Sequence, residues 1–339
     1  MSSEREMNTR ITMRDVASEL GVSPMTVSRA FRDDNTVSEK TRTQVREVAR
    51  KLGYVYDSTA TAFRTQKSGF VAITLPSINN ANFAETYRGM TEAMSGSRMQ
   101  LLLGATNYRL EREEQLVRQL LARNPEALLL TGGNHTDATR ELVGALSIPV
   151  IEMWDLPKEP LGHSVGFSNA YAMTLIVDHL VSKGRRKLGF IGASEGADLR
   201  GAERRESVVS YAASINLPDV TLFDAGVAPV SMRNGAECVR SRVAELSDLD
   251  ALVCVSDTVA FGAMSECKRL GIRVPEDIAI TGFGQFDVAL IAEPQITTVN
   301  VNARKIGETV ADLLNSLFSG LDAPKQIDLG AKLFEGGTT

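Results

Sequence analysis

From Phe70 to Val301 the chain alternates between short β-rich apolar runs and longer stretches with apolar residues at helical spacing, and this alternation limits the folds open to it. The runs are FVAITL, MQLLLGA, ALLLTG and PVIEMW, then LGFIG, ALVCVS and IAITGF. The helical stretches are 83–95, 111–122, 170–183, 231–246 and 259–270. Apolar runs bounded by helices read as strands buried on both faces, so the pattern predicts an α/β fold of parallel sheets covered by helices. The runs are too many for one comfortable sheet, and 339 residues, 43% of them hydrophobic, supply material for two or three domains.

The first sixty residues have a different grammar. In ITMRDVASELGVSPMTVSRAF, Ile11 to Phe31, Thr12 and Asp15 have capping-box spacing, and Val16, Ala17 and Leu20 share one helix face. Gly21 supplies a turn. Ser23 caps a second helix that begins at Pro24, where a missing N–H costs nothing. Val27 and Phe31 then face inward, leaving Met25, Ser28, Arg29 and Arg32 outside. Two short helices joined by a glycine turn form a helix-turn-helix, whose second helix is the one that enters a DNA major groove. Ser38 caps a third helix, 39–52, with Val45, Val48, Ala49 and Leu52 on one face and Gly53 as its stop. Tyr54 to Lys67 is a polar connection in which Asp57 or Ser58 could cap one short helix ending near Arg64, too short to be stable alone.

Charge follows the same division. Residues 1–67 hold 12 Lys and Arg against 9 Asp and Glu, whereas 68–339 hold 25 against 33, within a net charge of −5. The basic excess lies where DNA would be, and it is small enough that two headpieces acting together are expected. Cys238, Cys254 and Cys267 fit no ligand spacing and are expected to be reduced, as in a cytosolic protein. The opening MSSEREMNTR has no apolar segment and no later run has bilayer length, so neither export nor a membrane anchor is expected.

ITMRDVASELGVSPMTVSRAFR, then VSEKTR and KLGYVYDSTA, resemble the N-terminal headpiece of the LacI/GalR family of bacterial transcriptional regulators. The resemblance implies a three-helix headpiece over 1–56, a hinge helix and linker over 57–67, and a two-lobed periplasmic-binding-protein-like core over 68–339. VGFSN, 165–169, resembles the first crossing between lobes and ITTVNV, 296–301, the second. Ala303 to Leu317 reads as a helix returning to the first lobe, and KQIDLG resembles the last crossing. The lobes are thus expected at about 68–167 with 302–325, and about 168–300 with 327–339. The implied DNA-facing residues are Thr12, Pro24, Met25, Thr26, Ser28, Arg29, Tyr54 and Phe63. In the family a hinge leucine is wedged between base pairs; here Phe63 occupies that position, and phenylalanine is a competent wedge.

Ligands of parallel sheets lie beyond the carboxyl ends of the strands. This rule selects Ser77, Asn82 and Phe83, then Trp154 and Asp155, then Ser256 and Asp257, then Phe283 and Gln285. GAERRESVVSY resembles the family segment in which an arginine reaches the effector cleft; Arg204 is the candidate, with Arg205 the alternative. Asp257 reads equally well as a plain helix cap. Relatives with neutral sugar or purine effectors carry an aspartate after the aromatic of ITGF, where this chain has Gly284. Keeping an arginine while losing an anionic acceptor favours an anionic ligand. NFAETYRGM, PVIEMWD, VGFSN, ECKRLGIRVPEDIAITGF and PKQIDLG resemble gluconate-utilisation repressors within the family, so the implied effector is a sugar acid such as gluconate or a phosphorylated relative.

An enzyme is not expected. Gly192 to Gly196 satisfies G-x-S-x-G, but His135, His163 and His179 all precede the serine, against the chain order of that hydrolase fold. The same histidines lack metal-ligand spacing, and no cofactor is expected. The reading is a cytoplasmic, homodimeric repressor of sugar or sugar-acid catabolic genes, released from a palindromic operator by its effector. The tail LGAKLFEGGTT is too short and glycine-rich for a tetramerising heptad helix. A regulator that binds DNA better with a corepressor or a protein partner is the alternative. A sugar-binding transport protein is the rival of a different class, and it would have no use for a headpiece.

Overall fold

The computed structural model describes residues 11–32, 35–56, 68–97, 99–193 and 198–339. The chain divides into two compact units, 1–67 and 68–339.

The first unit contains α1 (Met13–Leu20), α2 (Pro24–Phe31) and α3 (Glu39–Leu52). Local chemistry sets their ends. The Asp15 carboxylate accepts the Thr12 N–H at 2.7 Å and its hydroxyl at 2.8 Å. Ser23 accepts the Thr26 N–H at 3.1 Å, and Ser38 that of Thr41 at 3.2 Å. Gly21 and Gly53 close α1 and α3 in the left-handed region that their lack of a Cβ makes accessible. Val16, Ala17, Val27, Ala30, Val37, Val45 and Ala49 form the core among the three helices. The expected hinge helix, with Asp57, Ser58 and Phe63, lies outside the described residues.

The second unit opens with β1 (Phe70–Leu75), α4 (Ala81–Ala93), β2 (Gln100–Ala105), α5 (Leu110–Leu121), β3 (Ala127–Thr131), α6 (Asp137–Gly144), β4 (Val150–Trp154) and β5 (His163–Gly166). After the crossing at Gly166 to Ser168 come α7 (Asn169–Ser182), β6 (Leu188–Gly192), α8 (Leu199–Ser214), β7 (Thr221–Asp224), α9 (Met232–Ser241), α10 (Val243–Leu246), β8 (Ala251–Cys254), α11 (Asp257–Arg269), β9 (Ala279–Thr281) and α12 (Asp287–Ile291). The chain ends with β10 (Thr298–Asn300), α13 (Ala303–Phe318), β11 (Gln326–Asp328) and β12 (Lys332–Phe334).

Two parallel sheets result, ordered β11-β5-β4-β3-β1-β2 and β7-β6-β8-β9, with β10 and β12 as a short antiparallel pair. Strands β3, β4, β6 and β8 are buried along their whole length, as their uninterrupted apolar runs require. Because β11 pairs with β5, the chain stays with the first lobe as far as Asp328, within the KQIDLG segment read as the last crossing. Helix α13 returns to the first lobe and packs against α4. A Cβ on Gly89 would stand 2.4 Å from the Arg304 carbonyl oxygen, and one on Gly307 would stand 2.0 Å from that of Thr86, so only glycine permits this crossing. The Thr86 hydroxyl completes the join by donating to the Ala303 carbonyl at 2.8 Å.

The helix expected over 231–246 is broken at Arg242, whose guanidinium lies 4.2 Å over the Phe223 ring and donates to the Leu222 carbonyl at 2.6 Å. Cys238, Cys254 and Cys267 are free and buried. Among the described residues no helix is long and apolar enough to cross a membrane.

Candidate functional site

On the headpiece, α2 turns Pro24, Met25 and Arg29 outward, and Met25 is 57% exposed. Thr12 is exposed beside the α1 cap, while Thr26 is half-buried with its hydroxyl 2.9 Å from that of Ser23. Two residues behave differently from the expectation. Arg32 folds back to donate from Nε to the Ser28 carbonyl at 3.2 Å, and Ser28 is half-buried with its Oγ 3.4 Å from the Tyr56 hydroxyl. Tyr56 stacks on Phe31 at 5.0 Å between centroids, and Tyr54 meets the same ring edge-on at 5.9 Å. An aromatic cluster therefore fastens the chain after α3 to the back of α2, which no helical periodicity announces.

In the core, a cavity of about 500 Å³ lies between the lobes. Ser77, Asn80, Asn82, Phe83, Tyr108 and Trp154 line it from the first lobe. Asp198, Arg200, Arg204, Met232, Arg233, Ser256, Thr258 and Phe283 line it from the second. Strand ends and helix starts alternate here, so first-turn residues of α4, α8, α9 and α11 all reach the wall, where helix dipoles favour negative charge. The rings of Phe83, Trp154, Phe167 and Phe283 form a continuous edge-to-face and tilted series across the lobes, with centroids 4.9, 5.9 and 6.1 Å apart. Trp154 holds a left-handed φ of 81°, a strained value for a bulky residue.

Seven of the residues chosen from sequence meet at this cavity: Ser77, Asn82, Phe83, Trp154, Arg204, Ser256 and Phe283. Asp155 instead borders a smaller chamber of about 40 Å³, where its Oδ2 accepts the Gly133 N–H at 3.2 Å. Burial pushes its carboxyl up, and the neighbouring Arg200 partly offsets that. Asp257 and Gln285 do not line the cavity. Asp257 is fully buried; its Oδ2 accepts the Phe286 N–H at 2.6 Å and its Oδ1 the Thr298 hydroxyl, so it ties α11 to the 283–286 loop and β10. Burial pushes its pKa up to about 6 even though these hydrogen bonds pull the other way. Gln285 borders a separate polar recess with Asn300, Asn302 and Arg304.

Arg204 settles against Phe283, its guanidinium 4.4 Å over the ring, with one Nη donating to Asn169 at 3.1 Å and another 3.8 Å from Asp198. Arg205 points elsewhere, donating to the Ala193 carbonyl at 3.4 Å. Arg200, Tyr108 and Asp198 were not anticipated. Arg200 is buried with its guanidinium 5.3 Å over the Phe83 ring of the first lobe. Among the described residues, Trp154 Nε1, Asp155 Oδ1, Asp198 Oδ1 and Arg204 Nε are buried without hydrogen-bond partners, a concentration expected where a polar ligand is to be received. Gly284 has φ 118° and its carbonyl accepts from Asn82 Nδ2 at 2.9 Å; a Cβ there would stand 2.7 Å from that nitrogen, so an aspartate would disrupt the bridge between lobes.

Comparison with known proteins gives this arrangement its context. The description "Bacterial regulatory proteins, lacI family" matches residues 12–57, and a periplasmic binding protein-like domain matches 177–339. The HTH-type transcriptional regulator GntR of Pseudomonas aeruginosa is 33% identical, over 97% of this chain and 96% of its own length. The chain belongs to the LacI family. GntR of Escherichia coli K12 is 30% identical over 97% of this chain and 98% of its own length. A solved LacI-family regulator from Silicibacter pomeroyi superposes with a TM-score of 0.90 at 28% identity, covering 97% of this chain and 99% of that one. This LacI-family member is accordingly a DNA-binding transcriptional regulator with a small-molecule effector site, not an enzyme.

Proposed function

We propose that the chain is a homodimeric repressor, acting in the cytoplasm, that grips a near-palindromic operator through two headpieces and leaves it when a gluconate-like sugar acid fills the cavity. The cationic lining carries the ligand class: Arg200, Arg204 and Arg233 stand on the wall, against Asp198. A planar guanidinium suits a carboxylate, the aromatic rings suit the C–H faces of a polyol, and Ser77, Asn80, Ser256 and Thr258 suit its hydroxyls. The resemblance to gluconate-utilisation repressors agrees with this chemistry.

At the operator, Pro24, Met25 and Arg29 are the base-reading candidates, with Thr12, Thr26, Ser28 and Tyr54 as supporting contacts and Phe63 as the hinge wedge. The effector dissociates the complex only to the extent that it binds the DNA-free form better, and by linkage the operator weakens effector binding by the same factor. The test is fluorescence anisotropy on duplexes selected in vitro for binding, with D-gluconate, other sugar acids and neutral sugars added at fixed salt. Release by a sugar acid, and by no neutral sugar, is the expected result. Release by neutral sugars alone would overturn the ligand class, and tighter binding with gluconate would replace repression release by corepression.

A further inference from the structure

Arg200 is unlike the other well-buried cations of this unit. Only 9% of it is exposed, yet among the described residues it has no hydrogen bond and no ion pair. Arg204, nearly as well buried, donates to Asn169 at 3.1 Å and lies 3.8 Å from Asp198. An arginine whose N–H groups meet no protein acceptor leaves them to water or to a ligand in the cavity it borders. What surrounds Arg200 is the Phe83 ring at 5.3 Å and the Gly132 backbone, where a Cβ would stand 3.3 Å from its Nη1 and 3.3 Å from Asp155 Oδ2. Arg200 borders both the large cavity and the small chamber behind it. Arg204 follows one helical turn later on the same face of α8, with its buried Nε also lacking a partner.

We propose that Arg200 is a second ligand-binding and specificity-determining residue, which with Arg204 forms a paired-guanidinium site holding the effector carboxylate between them. The proposal rests on the sugar-acid reading above and deepens it. Each guanidinium is already oriented by an aromatic face, Arg200 by Phe83 of the first lobe and Arg204 by Phe283 of the second, so little side-chain freedom remains to be lost on binding. The carboxylate supplies the acceptor that Arg200 and the Nε of Arg204 lack. Arg200 starts on the second lobe and ends against first-lobe groups, so an anion held there also fastens one lobe to the other. A neutral polyol of the same length gains the ring contacts and hydroxyl partners but not this bracket.

The experiment is calorimetric titration of the full chain and of its Arg200→Gln and Arg200→Lys variants with D-gluconate and with D-glucitol, which has a hydroxymethyl group in place of the carboxylate. Arg200→Gln is expected to weaken gluconate about tenfold or more while changing glucitol less than about twofold, because charge-assisted paired bonds are lost only with the acid. Arg200→Lys keeps the charge without the fork and should fall between the two. If Arg200→Gln does not fold, judged by melting of the unliganded protein, Arg200→Lys is compared with the parent on the same two probes, and if glucitol is too weak to measure, D-glucose replaces it as the neutral probe. Gluconate binding that is unchanged in the variants overturns the proposal and leaves the sugar-acid reading standing. A parallel loss for both probes assigns Arg200 a structural role and overturns it as well. A parent that takes glucitol but not gluconate, or neither, overturns the sugar-acid reading and the proposal with it.

Discussion

Replacing Asp257 by asparagine tests whether the carboxylate that fastens the 283–286 loop is held in the folded protein against its own desolvation. The side chain is fully buried, and its pKa is pushed up to about 6 from an ordinary 3.8. The folded state therefore takes up the proton before the unfolded chain does. Stability from this group is fully present below about 3.8 and is lost as pH rises through about 6. Integrating that linkage gives a parent roughly 1 kcal/mol more stable at pH 5 than at pH 7 on account of this residue alone. Asparagine has no such proton. Whatever its absolute stability, the gap between variant and parent should widen by that amount, in the parent's favour, on going from pH 7 to pH 5. Urea unfolding of the full chain at both values measures it, followed through Trp154, the single tryptophan, which lies on the cavity wall. An equal gap at the two pH values would refute the argument. Asp257→Ala goes further, leaving the Phe286 N–H and the Thr298 hydroxyl without an acceptor, at about 1–3 kcal/mol each when measured at pH 5.

His135 should produce a second slope of the same sign at higher pH. Burial alone would lower its pKa, but hydrogen bonds to Glu113 at 2.6 Å and Glu152 at 3.2 Å raise it to about 9. Its contribution is complete below about 6.5 and fades as pH climbs through about 9, a loss of roughly 2 kcal/mol between pH 7 and pH 9; His135→Gln should flatten that part of the urea-midpoint profile, and an unaltered profile would count against the protonated bridge. On the headpiece, Arg29→Ala should cost about 1–3 kcal/mol of operator affinity and relax preference at one symmetric base-pair position, as a lost bidentate guanine contact would. An unchanged sequence preference in a binding selection would remove Arg29 from the readout.

Helix ends were legible in the sequence because their causes are local. Thr12 with Asp15, Ser23 before Pro24, and Ser38 before Glu39 each satisfy a helix terminus with an atom a few residues away. The fully buried strands were legible because burial on both faces leaves an unbroken apolar run. Strands β5, HSVG, and β7, TLFD, were missed for the complementary reason: both are short, and β7 is a partly exposed edge. In the site, Ser77, Phe83, Trp154 and Phe283 follow from the topology of parallel sheets, which directs strand ends to one rim. Asp257 was selected by the same rule and misplaced by it. Its position at the start of α11 is visible in sequence, but the arrival of Thr298 and the 283–286 loop around its carboxylate is a tertiary event.

Arg200 shows why charge patterns near a cleft mislead. LRGAERRE carries three arginines against two glutamates, and nothing in it distinguishes Arg200 from Arg205. The distinction comes from Phe83, which approaches from the other lobe, and from Arg205 turning away to the Ala193 carbonyl. A ligand can bias a two-lobed protein only through contacts that differ between its conformations, so a residue seated wholly within one lobe contributes affinity without control. Asn82 with the Gly284 carbonyl and Arg200 with Phe83 both span the lobes at the cavity, and an anion held by Arg200, as proposed, would add its own acceptors to that span. If Arg200 holds the effector carboxylate as proposed, discrimination between acid and neutral sugar and control of the lobe arrangement fall on the same guanidinium.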